Sequence, residues 1–61
     1  MPILTTKELR ALTEQLDLER TMYRHYLAAA QDSQDQQLRE QFQNCAKQHQ
    51  LNYTELLDHL C

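Results

Sequence analysis

A chain of 61 residues with no Gly, one Pro and a formal net charge of −3 makes one domain at most and is too poor in turn formers for a many-stranded β fold. The mild negative charge, spread along the chain, excludes the basic footprint of a nucleic-acid or anionic-membrane binder. The longest apolar run, Tyr26 to Ala30, is far too short to span a bilayer.

In chain order, residues 1–4 read as a short extended arm, with Pro2 barred from a helix interior and Ile3 and Leu4 placed to pack on a helix start. Thr5 and Glu8 have the spacing of a capping box, in which each side chain satisfies an amide of the other. From there apolar residues recur at steps of three and four, through Leu9, Leu12, Leu16, Tyr23, Tyr26 and Ala30. That periodicity predicts an amphipathic helix over about 6–31. The polar stretch Gln31 to Asp35 interrupts it and predicts a turn over about 32–34. Ser33 and Gln36 form a second capping-box candidate, with Asp35 favourable in the first turn. A second helix is predicted over about 35–59, its stripe running Leu38, Phe42, Cys45, His49, Asn52, Leu56, Leu60. The fold class is therefore all-α, a two-helix antiparallel hairpin.

Glu19 and His49 break these stripes near their midpoints. A carboxylate on a core face needs a proton, a donor or a cation. With the turn centred near residue 33, Glu19 falls level with Ala46 and Lys47, between Cys45 and His49. Two helices cannot cover each other's apolar faces, and Leu18, Met22, Ala11 and Ala29 add a second, weaker strip to the first helix. The economical solution is a two-fold homodimer of hairpins forming a four-helix bundle. Its axis would gather both Glu19 and both His49 side chains at the middle level.

A core Glu in the first helix facing a polar i, i+3 pair in the second resembles half of a ferritin-like bundle. The closer resemblance is to the small ferritin-like proteins of the spore coat F family of endospore-forming bacteria. It is carried by Leu4-Thr5-Thr6-Lys7-Glu8-Leu9, Leu16-Asp17-Leu18-Glu19, Tyr23-Arg24-His25-Tyr26 with the following Ala run, and Asp35-Gln36-Gln37-Leu38. It ends on Ala46-Lys47-Gln48-His49-Gln50-Leu51-Asn52-Tyr53, closed by Leu56-Leu57. The resemblance covers most of the chain. It implies a ferritin-like four-helix bundle and association with the spore coat. Where ferritin-like metal sites carry Glu-x-x-His, this chain has His49-Gln50-Leu51-Asn52, so only Glu19 matches a ligand type, and the case for di-iron chemistry weakens.

Three readings of the polar layer follow from the residues. In the first, Glu19 and His49 form a buried pair that fixes register, as polar core residues do in coiled coils. In the second, Glu19 and His49, with Cys45 one turn earlier as a soft ligand, hold a divalent metal such as zinc or iron. In the third, helix rotation exposes Glu19 and the pair never forms. Cys45 reads otherwise as a small buried hydrophobe. Its use as a nucleophile is disfavoured, because no Gly-rich loop or oxyanion site accompanies it. Tyr23, Tyr26 and Tyr53 stand at core spacing, with their hydroxyls at the bundle rim or the polar layer, while His25 and His59 stand on solvated or edge positions. The Gln-rich run from Gln34 to Gln50 makes the polar face of the second helix. A Cys45–Cys61 bridge is not expected, since the two lie at different levels of a hairpin. Cys61 is expected as a free thiol, or as an interchain link in an oxidising setting.

The expected function is non-enzymatic: a homodimeric structural or assembly protein, with itself and other coat proteins as partners and neither nucleic acid nor membrane among them. The alternatives are a small metal-binding or redox protein and an adaptor hairpin that inserts into another helical protein. With no charged-then-apolar leader and cleavage site visible, synthesis in the cytoplasm is expected, with the spore coat as a destination.

Overall fold

The computed structural model describes residues 3–60, so the expectations for Pro2 and Cys61 lie outside the described residues. Among these the chain is all-helical and contains no strand, with α1 over Thr6–Asp32 and α2 over Gln36–Asp58. The helices pack against each other along their length in an elongated hairpin with extents of 46 × 15 × 10 Å. No helix among the described residues is long and apolar enough to cross a membrane.

Local chemistry sets the helix ends. Thr5 is extended at the N-cap of α1, where its hydroxyl accepts from the Glu8 N–H at 3.0 Å and the Glu8 carboxylate accepts from the Thr5 N–H at 3.1 Å. The hydrogen bond from the Thr5 backbone, followed by interaction with the Thr5 side chain, holds the Glu8 carboxyl below its ordinary range. At the other end Ser33 leaves the helical region and its N–H returns to the Ala29 carbonyl at 3.0 Å.

The start of α2 differs from the expected Ser33/Gln36 box. The N-cap is Asp35, whose carboxylate accepts from the Leu38 N–H at 2.9 Å. An ionised acceptor complements the positive end of a helix better than a hydroxyl does, and Ser33 is engaged in closing α1. The Ser33 carbonyl also accepts from both Nη2 and Nε of Arg39, at 2.8 and 3.3 Å, and its hydroxyl donates to the Asp35 carbonyl at 3.3 Å. The connection is thus residues 33–35, made with no positive φ among the described residues.

This later turn corrects the register. Glu19 meets His49, and Tyr26 packs on Phe42 with ring centroids 6.1 Å apart. Both pairs are equidistant in sequence from residue 34, so Glu19 lies opposite His49 itself and not opposite Ala46 and Lys47.

The interior of one hairpin is thin. Leu16, Ala30 and Ala46 are the buried apolar residues, and Glu19 is buried with them. Leu12, Tyr23, Tyr26, Phe42, Cys45, Tyr53 and Leu56 are half-buried around this line. Two stripe residues, Leu9 at 45% and Leu38 at 41%, stay exposed, as do Leu18, Leu27, Leu51 and Leu57, and Ile3 is fully exposed rather than packed on the helix start. Two cylinders touch along one line only, which leaves the flanks of each apolar stripe uncovered.

Candidate functional site

The middle of the hairpin holds a hydrogen-bonded polar layer. Glu19 projects from α1 toward His49 and Asn52, which share one face of α2 because residues three apart on a helix are neighbours. His49 donates from Nδ1 to Glu19 Oε2 at 2.7 Å, and Asn52 Nδ2 reaches both carboxylate oxygens at 3.3 and 3.5 Å. Gln15, one turn before Glu19, donates from Nε2 to Oε1 at 3.2 Å. Behind Asn52, Gln48 donates to its amide oxygen at 3.0 Å. Tyr26 lies parallel to the imidazole and offset from it, with centroids 5.6 Å apart and planes 10° from parallel.

The electrostatics follow from this donor set. Glu19 is only 7% exposed, and burial alone would favour its neutral acid form. The His49 hydrogen bond outweighs that. Together with the Asn52 bond, attraction to His49 and the Gln15 bond, it holds the Glu19 carboxyl below its ordinary range. An ionised carboxylate only accepts, so the His49 Nδ1 carries a hydrogen. No buried side-chain nitrogen or oxygen among the described residues lacks a partner.

Glu19 and His49 therefore meet, and the reading in which helix rotation exposes Glu19 is overturned by its burial. Cys45 is a half-buried free thiol. Among the described residues no group of three or more His, Cys, Asp and Glu side chains stands close enough to hold a metal ion, so within one chain Cys45 does not complete a three-donor set. The donor set also fits a di-iron centre poorly: the one carboxylate in the layer is already occupied by three N–H donors, and the Asn52 amide offers it hydrogens. A carboxylate–imidazole pair is one part of a nucleophilic triad, but here the imidazole's bonding partner is the carboxylate alone among the described residues, with no hydroxyl or thiol to activate. His25 and His59 are exposed.

Gln15, Gln48, Arg20 and Gln50 were not singled out from the sequence as part of this site. Gln15 could have been found from its place four residues before Glu19, the spacing at which helix side chains touch. Arg20 and Gln50 border an open groove beside the polar layer, floored by Glu19 and His49 and flanked by Tyr23 and Tyr53. Nothing in the stripe pattern marked them. No family model matches the chain, and neither the curated proteins nor the solved structures yield a match.

Proposed function

We propose that this chain is a non-enzymatic structural or assembly protein that works as a homodimer, two hairpins closing into a ferritin-like four-helix bundle around paired Glu19–His49 layers. The observation that carries the reading is uncovered surface. Among its described apolar residues one hairpin buries only Leu16, Ala30 and Ala46 and leaves Leu9, Leu18, Leu27, Leu38, Leu51 and Leu57 exposed, and a second hairpin supplies a matching apolar surface.

The saturated polar layer supports a structural role for Glu19 and His49. A carboxylate with three N–H donors has most of its lone pairs engaged, which suits a device that fixes register. Association with the spore coat, and with other coat proteins there, is proposed from the resemblance described above. Sedimentation equilibrium of the purified chain is expected to give twice the chain mass. A folded monomer would instead favour the adaptor reading, in which the open face receives a helix of another protein. For the destination, a fluorescent fusion in an endospore-forming host is expected to gather around the forespore, and a diffuse signal through sporulation would count against it.

A second reading draws on the approach of Glu19 and His49 to 2.7 Å. The His49 Nδ1 is engaged by the carboxylate, which leaves Nε2 as the nitrogen that a zinc or iron ion would use, and a carboxylate in this position orients metal-bound imidazoles. Two copies at one waist would offer two such nitrogens. Elemental analysis of protein purified without chelator, with and without Glu19→Gln, tests this reading. Absence of metal from both removes it.

A further inference from the structure

We propose that the second copy docks on the groove beside the polar layer, with α1 of each hairpin lying over α2 of the other. This rests on the homodimer reading and adds the face and the orientation.

The groove has a hidden symmetry. Its lining is Glu19, Arg20 and Tyr23 from α1, and His49, Gln50 and Tyr53 from α2. Glu19 and His49 are 30 residues apart, and so are Arg20 and Gln50, and Tyr23 and Tyr53. The same offset relates Leu16 to Ala46 and Leu27 to Leu57. In antiparallel helices paired at Glu19 and His49, equal spacing on both sides of that level generates a local two-fold axis, normal to the groove and passing through the pair. Tyr23 and Tyr53 form its two walls, and the open space between them is about 240 Å³.

A face built this way is self-complementary. In the proposed dimer the true two-fold crosses the local one, so that three perpendicular axes, true or approximate, meet at one point and polar layer stacks on polar layer in either orientation. The exposed leucines sit where an interface needs them. Leu9, Leu27 and Leu57 lie on the groove side of their helices, at spacings of four and seven from groove or buried residues. Leu51, equally exposed, points away from it, and Leu18 lies on the opposite flank with Ala11, Met22 and Ala29, so the weaker strip that the sequence suggested for the bundle stays outside this interface.

Charge selects between the two orientations. With α1 over α1, the two Arg20 guanidinium groups would meet beside the axis. With α1 over α2, each Arg20 faces the second copy's Gln50, and Leu9 lies over the second copy's Leu57 at the bundle ends. The second arrangement removes the like-charge contact.

Sedimentation velocity of the full chain and of three variants tests the face. Wild type, Leu18→Glu and Leu51→Glu are expected to remain dimers, and Tyr53→Glu to weaken association at least a hundredfold. A monomeric wild type would sink both this inference and the homodimer reading. Loss of the dimer in Leu18→Glu with retention in Tyr53→Glu, or retention in all three variants, would overturn the groove face and leave the homodimer standing. Mixed oxidation of two chains, one carrying Leu9→Cys and the other Leu57→Cys with Cys45→Ser and Cys61→Ser in both, tests the orientation and serves if Tyr53→Glu fails to fold. A mixed disulfide dimer is expected. Its absence, or efficient self-linking of Arg20→Cys in the same background, would overturn the α1-over-α2 arrangement.

Discussion

At the scale of single residues, Glu19 shows how a buried charge is tolerated. The His49, Asn52 and Gln15 side chains all donate to it, so desolvation is offset by hydrogen bonds to the charged form. Removing one partner is then worse than removing both. His49→Leu should cost about 1.5–3 kcal/mol, the range for a lost hydrogen bond to a charged group. The double change Glu19→Leu with His49→Leu should be neutral or stabilising by about 1–4 kcal/mol, as when other buried pairs are replaced by apolar residues. Urea unfolding at one fixed protein concentration checks both. A double variant as unstable as the single would show that the pair itself contributes more than apolar packing in its place.

The same carboxylate sets an acid limit. Its pKa in the folded chain lies below the ordinary value of 4.5, so the stability it contributes is complete above that value and is lost as pH falls through the folded pKa. Glu8 acts with the same sign, which makes the comparison of Glu19→Gln with wild type the informative one. Thermal melts from pH 7 down to pH ~3 should show a smaller acid drop in Glu19→Gln, because that variant has one fewer carboxylate to protonate. Parallel curves would assign the whole drop to other groups.

At the scale of elements, side-chain caps hold the helix starts, the Thr5–Glu8 pair at α1 and Asp35 at α2. Thr5→Ala and Asp35→Ala should each cost about 1 kcal/mol, the usual effect of losing an N-cap. Ser33→Ala should cost less, because the Ser33 hydroxyl makes only a 3.3 Å bond within the turn. Denaturant midpoints of the three variants rank them, and a larger loss at Ser33 than at Asp35 would return the N-cap role to the serine. The Thr5–Glu8 box was legible in the sequence because both partners lie within one turn and nothing competes. Asp35 was misread because Ser33 also has a capping side chain at a plausible spacing. Arg39 also reaches back six residues to the Ser33 carbonyl, a contact no local rule contains. The later turn then moved Glu19 opposite His49. Glu19 and His49 were visible as interruptions of two apolar stripes. Asn52 was visible in the stripe of the second helix and as a departure from a metal motif, but its use as a donor to Glu19 depends on side-chain geometry across the helix pair.

At the scale of the molecule, folding and association should be inseparable. A hairpin whose buried apolar residues are Leu16, Ala30 and Ala46 has little interior of its own, so in the proposed bundle most apolar burial occurs between copies. The thermal midpoint should then rise with protein concentration, as mass action requires when only the folded state associates. Melts across a hundredfold range of concentration test this, and a midpoint independent of concentration would mean that one hairpin is stable alone.

The glycine-free bend at residues 33–35 has one more consequence. Every backbone angle there is of a kind that ordinary residues adopt, and Ser, Gln and Asp are all tolerated inside helices. Straightening the bend would give a continuous rod, and two such rods could exchange halves while keeping the Glu19–His49 and Tyr26–Phe42 contacts, now made between chains. What opposes that exchange is the Arg39 grip on the Ser33 carbonyl and the Asp35 cap. Loosening the corner would therefore threaten the identity of the assembly before it threatened its stability, converting paired hairpins into interlocked strands of the same composition.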